Sequence, residues 1–226
     1  MKSILLIETS SEFCSIALSK DREILAQAKS DEAFKHAEHL FLQLDTLCQM
    51  SQISYSEIGA VAVSAGPGSY TGLRIGLSAA KGLCLAWEVP LIMISTLKIM
   101  AGVFFRKNPQ HQGVCIPMLD ARRMEVYYGV YDAALRALSK EEAHELTLDS
   151  LREWIDQNPA FIGNGAEKFK ALWADADGRF DVESDWTASD MAALANEAYL
   201  KGNFSDLAYS EPEYLKPFFT TAKPIE

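Results

Sequence analysis

The stretch GAVAVSAGPGSYTGLRIGLSAAKGLCLAW, residues 59–87, contains the strand, loop and helix that decide the fold. Its first part, 59–65, is an unbroken apolar run of the length typical of a buried strand. The glycine-rich loop GPGSYTG follows at 66–72, and an apolar helix is predicted over 72–87. A buried strand that turns sharply into a helix indicates an α/β core.

The residues around this stretch predict the order β-β-β-α-β-α-β-α for the first half of the chain. Before it, three strands form a meander and are followed by a helix with one broad apolar face. Ser54 and Glu57 have the spacing of a capping box for a further short helix. The predicted strands are 2–8, 12–19, 23–29, 59–65 and 90–95, and the predicted long helices are 33–50, 72–87 and 96–106.

The polar segment FRKNPQHQG, 105–113, is the best candidate for a domain boundary. It divides the chain into an N-terminal lobe, 1–106, and a C-terminal lobe, 107–226. The second half repeats the element order of the first, so the sequence predicts two similar α/β lobes. Its predicted strands are 114–119, 124–131, 135–146 (whose composition also suits a helix) and 160–163, and its predicted helices are 148–155, one after Gly165, and 188–201 with Thr187 as N-cap.

The composition favours a soluble cytoplasmic protein. The 226 residues include 21 basic and 31 acidic side chains, a formal net charge of -10. Nucleic-acid binding depends on neutralising many phosphates with Lys and Arg, so any function on RNA would need a basic partner. The four cysteines form no CxxC pair, and no apolar run is long enough for a signal peptide or a membrane span.

The loop GPGSYTG admits two interpretations. Gly66, Gly68 and Gly72 lie between a strand and a helix, where backbone N–H groups can bind an anion. The loop contains neither a P-loop motif nor GxGxxG, and Pro67 removes one donor. A tight turn that needs glycine backbone conformations is the favoured interpretation.

The helix after this loop has small residues at every fourth position. Gly72, Gly76 and Ala80 leave one face nearly bare, so another helix can approach closely. Either the helix is internal, or this face is a helix-on-helix interface with another subunit, shared with the 33–50 helix. In the second case Gly76→Arg should block partner binding and leave the chain folded. The candidate interface residues are Leu40, Gly72, Leu73, Gly76, Leu77 and Ala80.

No catalytic or metal-binding set is predicted. His36 and His39 share a helix face, but they lack the i, i+4 spacing of helical zinc motifs. Ser69 and Thr71 are not part of a nucleophile elbow. Asp120 follows a strand, where a turn in which it pairs with an arginine is favoured over a metal-bound phosphate.

Several motifs resemble the bacterial TsaB (YeaZ-like) family, almost from end to end. The most specific is SAGPGSYTGLRIGLSAAKGL, 64–83. The others are LLIETS at 5–10, FCSIAL at 13–18, DARRMEVYYGVY at 120–131, FIGNGAEKF at 161–169 and EPEYLKP at 211–217.

The resemblance implies two ribonuclease-H-like lobes of the actin, Hsp70 and sugar-kinase type. It also implies a role in the threonylcarbamoyladenosine modification of tRNA, next to the anticodon. In that family the protein is a non-catalytic subunit without a cofactor. It pairs with the catalytic subunit TsaD, the ATPase TsaE or a second copy of itself, and it meets tRNA only through the complex. His36 matches the single histidine usual in the family.

Two alternatives of other classes remain open: a small ATP-dependent kinase or ATPase of the same fold, and a metallopeptidase-like homologue. Against the first, the segments Glu8–Ser11 and Asp120–Arg123 offer no glycines for phosphate contacts. The tail 218–226 is expected to be mobile.

Overall fold

The computed structural model describes residues 2–30, 36–147, 149–173, 180–182 and 185–216, without the side chains of 36–39. The predicted histidine pair, the beginning of the 33–50 helix and the 218–226 tail therefore lie wholly or partly outside the described residues.

The first lobe is built on a five-stranded mixed sheet of order β3-β2-β1-β4-β5. Strands β1 to β3 form the predicted antiparallel meander, and β4 and β5 add parallel to β1. The strands are β1 (Ser3–Glu8), β2 (Ser15–Lys20), β3 (Glu23–Lys29), β4 (Ile58–Gly66) and β5 (Leu91–Ser95), and the helices are α1 (His36–Ser51), α2 (Tyr70–Trp87) and α3 (Thr96–Lys107).

The second sheet has the same topology, with order β10-β9-β6-β7-β8. Its central strand β6 pairs antiparallel with β7 and parallel with β9, as β1 pairs with β2 and β4. The strands are β6 (Cys115–Asp120), β7 (Glu125–Tyr128), β8 (Glu142–Glu145), β9 (Ala160–Ile162) and β10 (Phe180–Asp181), and the helices are α4 (Ala166–Leu172) and α5 (Ala192–Lys201). The predicted fold of two ribonuclease-H-like lobes is confirmed.

Local predictions failed where elements are short. Of the predicted strand 135–146 only β8 forms, and β10 was not predicted because two residues carry no periodicity. A 3-10 helix, Arg152–Gln157, stands near the predicted 148–155 helix, whose first residue lies outside the described residues. The predicted 188–201 helix begins as a 3-10 turn before α5, and the Thr187 amide donates to Asp190 Oδ2 at 2.7 Å.

The division at residues 106 and 107 stays a prediction, and across it the two halves exchange helices. Met191, Ala192 and Ala195, from the C-terminal half, pack on the first sheet opposite α1 and α2. Conversely, α3 contributes Met100 and Phe104 to the core against the second sheet. The apolar spacing in each helix predicted burial, but periodicity does not say which sheet covers it.

Candidate functional site

The residues predicted for a partner interface lie inside the first lobe. Leu40 and Leu73 are each 1% exposed, and Leu40 and Leu77 belong to the core between the helices and the sheet. Gly72, Gly76 and Ala80 are also buried. Leu40 therefore lies on the internal face of α1 and the other five on the internal face of α2, and they do not form a surface that a partner could contact.

The small-residue face of α2 allows close approach within the chain itself. A Cβ atom on Gly76 would lie 2.1 Å from Thr9 Oγ1, which is far inside van der Waals contact. The internal-helix interpretation is therefore the correct one for this face. An arginine at Gly76 would have no space, so Gly76→Arg is now expected to disrupt the packing of the fold itself.

The outer face of the same helices exposes large apolar side chains. We define the α1–α2 surface as Phe41, Leu42, Met50 and Leu85, which are 53%, 70%, 65% and 74% exposed. Several large apolar side chains exposed on two neighbouring helices are typical of a contact surface. The sequence could have shown the part of this surface on α1, because Leu42 and Met50 lie off the stripe that contains Leu40, Leu44 and Leu47.

One end of this face carries an aromatic stack and a shallow groove. The rings of Tyr55 and Trp87 stack with centroids 5.2 Å apart, which joins the residues after α1 to the end of α2. A cavity of about 330 Å³ opens beside them, lined by Asp45, Cys48, Gln49, Ile53, Ser54 and Tyr55. This end of the helix pair therefore has a groove beside its exposed apolar side chains.

The loop 66–72 uses its backbone donors within the chain. The Ser69 amide donates to the Ser10 carbonyl at 2.7 Å, and the Gly72 amide donates to Ser69 Oγ at 3.2 Å. Ser69 is thus the N-cap of α2. The favoured interpretation, a tight strand-to-helix turn, is confirmed.

Glu8 stands at the end of β1, where the two lobes face each other. It is fully buried, and its Oε1 accepts hydrogen bonds from the Ser10 amide and hydroxyl, both at 2.5 Å. Trp186 Nε1 donates to the same Ser10 hydroxyl at 3.2 Å. Burial raises the pKa of Glu8 above its ordinary value, although the Ser10 hydrogen bonds oppose the shift.

Asp120 occupies the equivalent place at the end of β6. Lys168 Nζ lies 2.6 Å from Asp120 Oδ1, and the Arg122 amide donates to the same oxygen at 2.6 Å. Burial opposes ionisation, but the Lys168 and Arg122 hydrogen bonds outweigh it and lower the pKa of Asp120. The predicted turn is present, but the side chain that pairs with Asp120 is a lysine and not an arginine.

These strand ends do not fit a nucleotide phosphate or its metal ion. The carboxyl of Glu8 is sealed from solvent and burial raises its pKa, whereas a metal ligand must be ionised and reachable. Asp120 already forms an ion pair with Lys168, and the Ser69 and Gly72 amides of the loop donate within the chain. Within the described residues, no group of three or more His, Cys, Asp or Glu side chains is arranged to hold a metal.

The described helices include none that is both long and apolar enough to cross a membrane. His36 and His39 belong to α1, but their side chains are outside the described part of the chain. The prediction that they form no metal site therefore stays a prediction.

Comparison with known proteins gives consistent matches. The sequence model of TsaD, tRNA N6-adenosine threonylcarbamoyltransferase, matches residues 25–220. The tRNA threonylcarbamoyladenosine biosynthesis protein TsaB of Escherichia coli is 30% identical over 94% of both chains. The protein of the same name from Haemophilus influenzae is 34% identical over 99% of this chain and 91% of its own.

A solved structure matches over nearly the whole chain. YeaZ from Pseudomonas aeruginosa superposes with a TM-score of 0.76 at 26% identity, and the match covers 95% of this chain and 100% of that one. Its two-lobed architecture is thus shared along the full length.

Proposed function

The chain belongs to the TsaB (YeaZ-like) family of tRNA threonylcarbamoyladenosine biosynthesis proteins, and from that premise we propose that it is a non-catalytic subunit that activates a TsaD-type catalytic partner. The α1–α2 surface is the observation that carries this proposal. Through it the chain would pair with the catalytic subunit, or with a second copy of itself when the partner is absent.

The exposure of this surface supports a docking role. Leu42 and Leu85 leave most of their side chains in water, although the same helices bury a continuous apolar stripe on the inside. Covering a fully exposed leucine gains about 1.5–3 kcal/mol, so a few such side chains can anchor an interface. A pair of partner helices laid along α1 and α2 would complete a four-helix arrangement.

The state of the cleft supports a non-catalytic role. Enzymes of this two-lobed type would have to place phosphates and a metal at the strand ends. In this chain Glu8 is buried with a raised pKa, and Asp120 is paired with Lys168. The chain would therefore act by binding, and the chemistry would belong to the partner.

Charge supports indirect contact with tRNA. With a net charge of -10 the chain repels a phosphate backbone, so it would reach tRNA only within a complex that also contains TsaD and the ATPase TsaE. Activation then follows from differential contacts: the chain would bind one arrangement of the catalytic subunit more tightly and shift its population.

A reconstitution tests the proposal. Threonylcarbamoyladenosine formation on tRNA is measured with TsaD and TsaE, with and without this chain, and with Leu42→Glu. We expect formation only with the wild-type chain, because a buried unpaired carboxylate at the α1–α2 surface would prevent pairing.

Leu200→Glu is the matched control. Leu200 is 67% exposed on α5, which packs against the opposite face of the same sheet. This variant should pair and activate like the wild type. Activity that survives Leu42→Glu together with intact pairing would overturn the assignment of the surface. Turnover of ATP by the chain alone would instead support the kinase or ATPase alternative.

A further inference from the structure

The C-terminal segment 205–216, which we call the strap, leaves its own half and runs along the first lobe. The Ser205 amide donates to the Leu91 carbonyl of β5 at 2.9 Å. Lys81 of α2 then donates from Nζ to the carbonyl oxygens of Ala208 and Ser210, each at 3.1 Å. The polar side of α2 is thus occupied by the strap.

The strap reaches the end of β4 at Glu213 and Tyr214. The Glu213 amide donates to the Ala65 carbonyl at 2.8 Å. Next to it, Arg74 Nε donates to the Tyr214 hydroxyl at 2.9 Å, and the guanidinium lies 4.2 Å from the ring centroid of Tyr70. A guanidinium between two tyrosines holds this point of the strap firmly on lobe 1.

Two residues after Tyr214, the strap is bound to the other lobe. Lys216 Nζ donates to the Ala121 carbonyl at 2.8 Å and forms an ion pair with Glu125 of β7. Its ammonium also lies 5.8 Å from the centroid of the Tyr127 ring. Only Leu215 stands between a residue bound to lobe 1 and a residue bound to lobe 2.

The strap crosses between the lobes beside the ends of β4 and β6, within the cleft. Ala65 is at the carboxyl end of β4, and Ala121 directly follows β6, so the strap passes where the ends of the two parallel strand sets face each other. The strap backbone lies so close there that a Cβ on Gly66 would be 2.8 Å from the Glu213 carbonyl oxygen. The chain itself fills this part of the cleft.

We propose that the strap is an intramolecular clasp that fixes the spacing of the two lobes and closes the mouth of the cleft. Three residues span at most about 10 Å, so the lobes cannot move apart at this point unless one end of the clasp is released. The clasp also lies on α2, through the contacts of Arg74 and Lys81. It stands independently of the proposed function, because it concerns contacts within one chain.

Hydrogen exchange on single variants of the full chain tests the clasp from both ends. Lys216→Met keeps the aliphatic stem and removes the lobe 2 contacts, and Arg74→Met removes the side chain that holds Tyr214. In Lys216→Met the Glu213 amide, on lobe 1, should exchange roughly three to ten times faster. In Arg74→Met the amides of the 121–125 turn, on lobe 2, should also exchange roughly three to ten times faster. The reason is that Lys216, which contacts this turn, is no longer held in place through Tyr214.

Two controls make the result decisive. Lys201→Met removes an exposed ion pair with Glu197 outside the strap and should leave both regions unchanged. The exchanged pair Lys216→Glu with Glu125→Lys should restore protection of the Glu213 amide relative to Lys216→Glu alone. If each variant speeds exchange only at its own end, or the exchanged pair restores nothing, the strap is a surface segment and not a clasp.

Discussion

Helix α2 lies so close to the end of β1 that a Cβ atom on Gly76 would be 2.1 Å from the Oγ1 of Thr9. Gly76 is therefore a packing residue, and its substitution should cost stability. We expect Gly76→Ala to lower the free energy of unfolding by roughly 1–3 kcal/mol in urea titrations, since helix or strand must shift.

Gly82 provides the matched control on the same helix. A Cβ there meets nothing within 4 Å, so Gly82→Ala gains helix propensity without a clash. It should raise the free energy of unfolding by about 0.5–1 kcal/mol. Equal effects of the two alanines would mean that the close approach at Gly76 is not real.

The buried Glu8 should make the free energy of unfolding decrease as the pH rises. Its pKa is raised in the folded state by burial, so the folded chain binds its proton more tightly than the unfolded chain does. The stability that the protonated Glu8 contributes is fully present below the unfolded pKa of about 4.3, and it is lost as the pH rises through the raised folded pKa. Glu8→Gln removes this pH dependence, so the stability of the variant relative to the wild type should increase as the pH rises from the unfolded pKa of Glu8 through its raised folded pKa.

The measurement is urea unfolding of both proteins across that range. The glutamine carbonyl can still accept the Ser10 hydrogen bonds that Glu8 Oε1 accepts. A wild type that becomes more stable than Glu8→Gln with increasing pH would show that the carboxyl is ionised and stabilised in the fold.

A substitution at Leu85 tests whether the isolated chain dimerises through the α1–α2 surface. If the α1–α2 surface joins two copies, Leu85→Glu should weaken the dimer at least ~10-fold in sedimentation velocity, because the charge would be buried at the interface. Leu200→Glu, at similar exposure on α5, should sediment like the wild type. Unchanged sedimentation of Leu85→Glu at every concentration would exclude Leu85 from the contact.

The Ser69 side chain caps the beginning of α2, and its removal measures how much this cap contributes to stability. Its hydroxyl accepts the Gly72 amide, so Ser69→Ala should lower the free energy of unfolding by about 1 kcal/mol. Ser78→Ala, at an exposed position in the same helix, should be neutral or raise it by a few tenths, ~0.3 kcal/mol. Thermal unfolding of the pair measures the difference, and a loss at Ser78 as large as at Ser69 would argue against the cap.

The sequence predicted the architecture well because burial patterns are local. The run 59–65 and the periodic apolar residues of 72–87 define β4 and α2 within a few residues. The choice of contact surface failed for the opposite reason. The spacing of Gly76 and Ala80 indicates that another segment packs closely against α2. It does not show whether that segment is Thr9 of the same chain or a helix of another subunit.

The sequence by itself thus determined the two lobes, the cap at Thr187 and the acidic charge, since each depends on residue type and short-range spacing. Only the tertiary structure decided which sheet each crossing helix covers, which face of α1 and α2 remains in water, and that Lys216 is bound to lobe 2 while Tyr214 is bound to lobe 1. Those relationships join residues far apart along the chain, and they exist only once the sheets have brought them together.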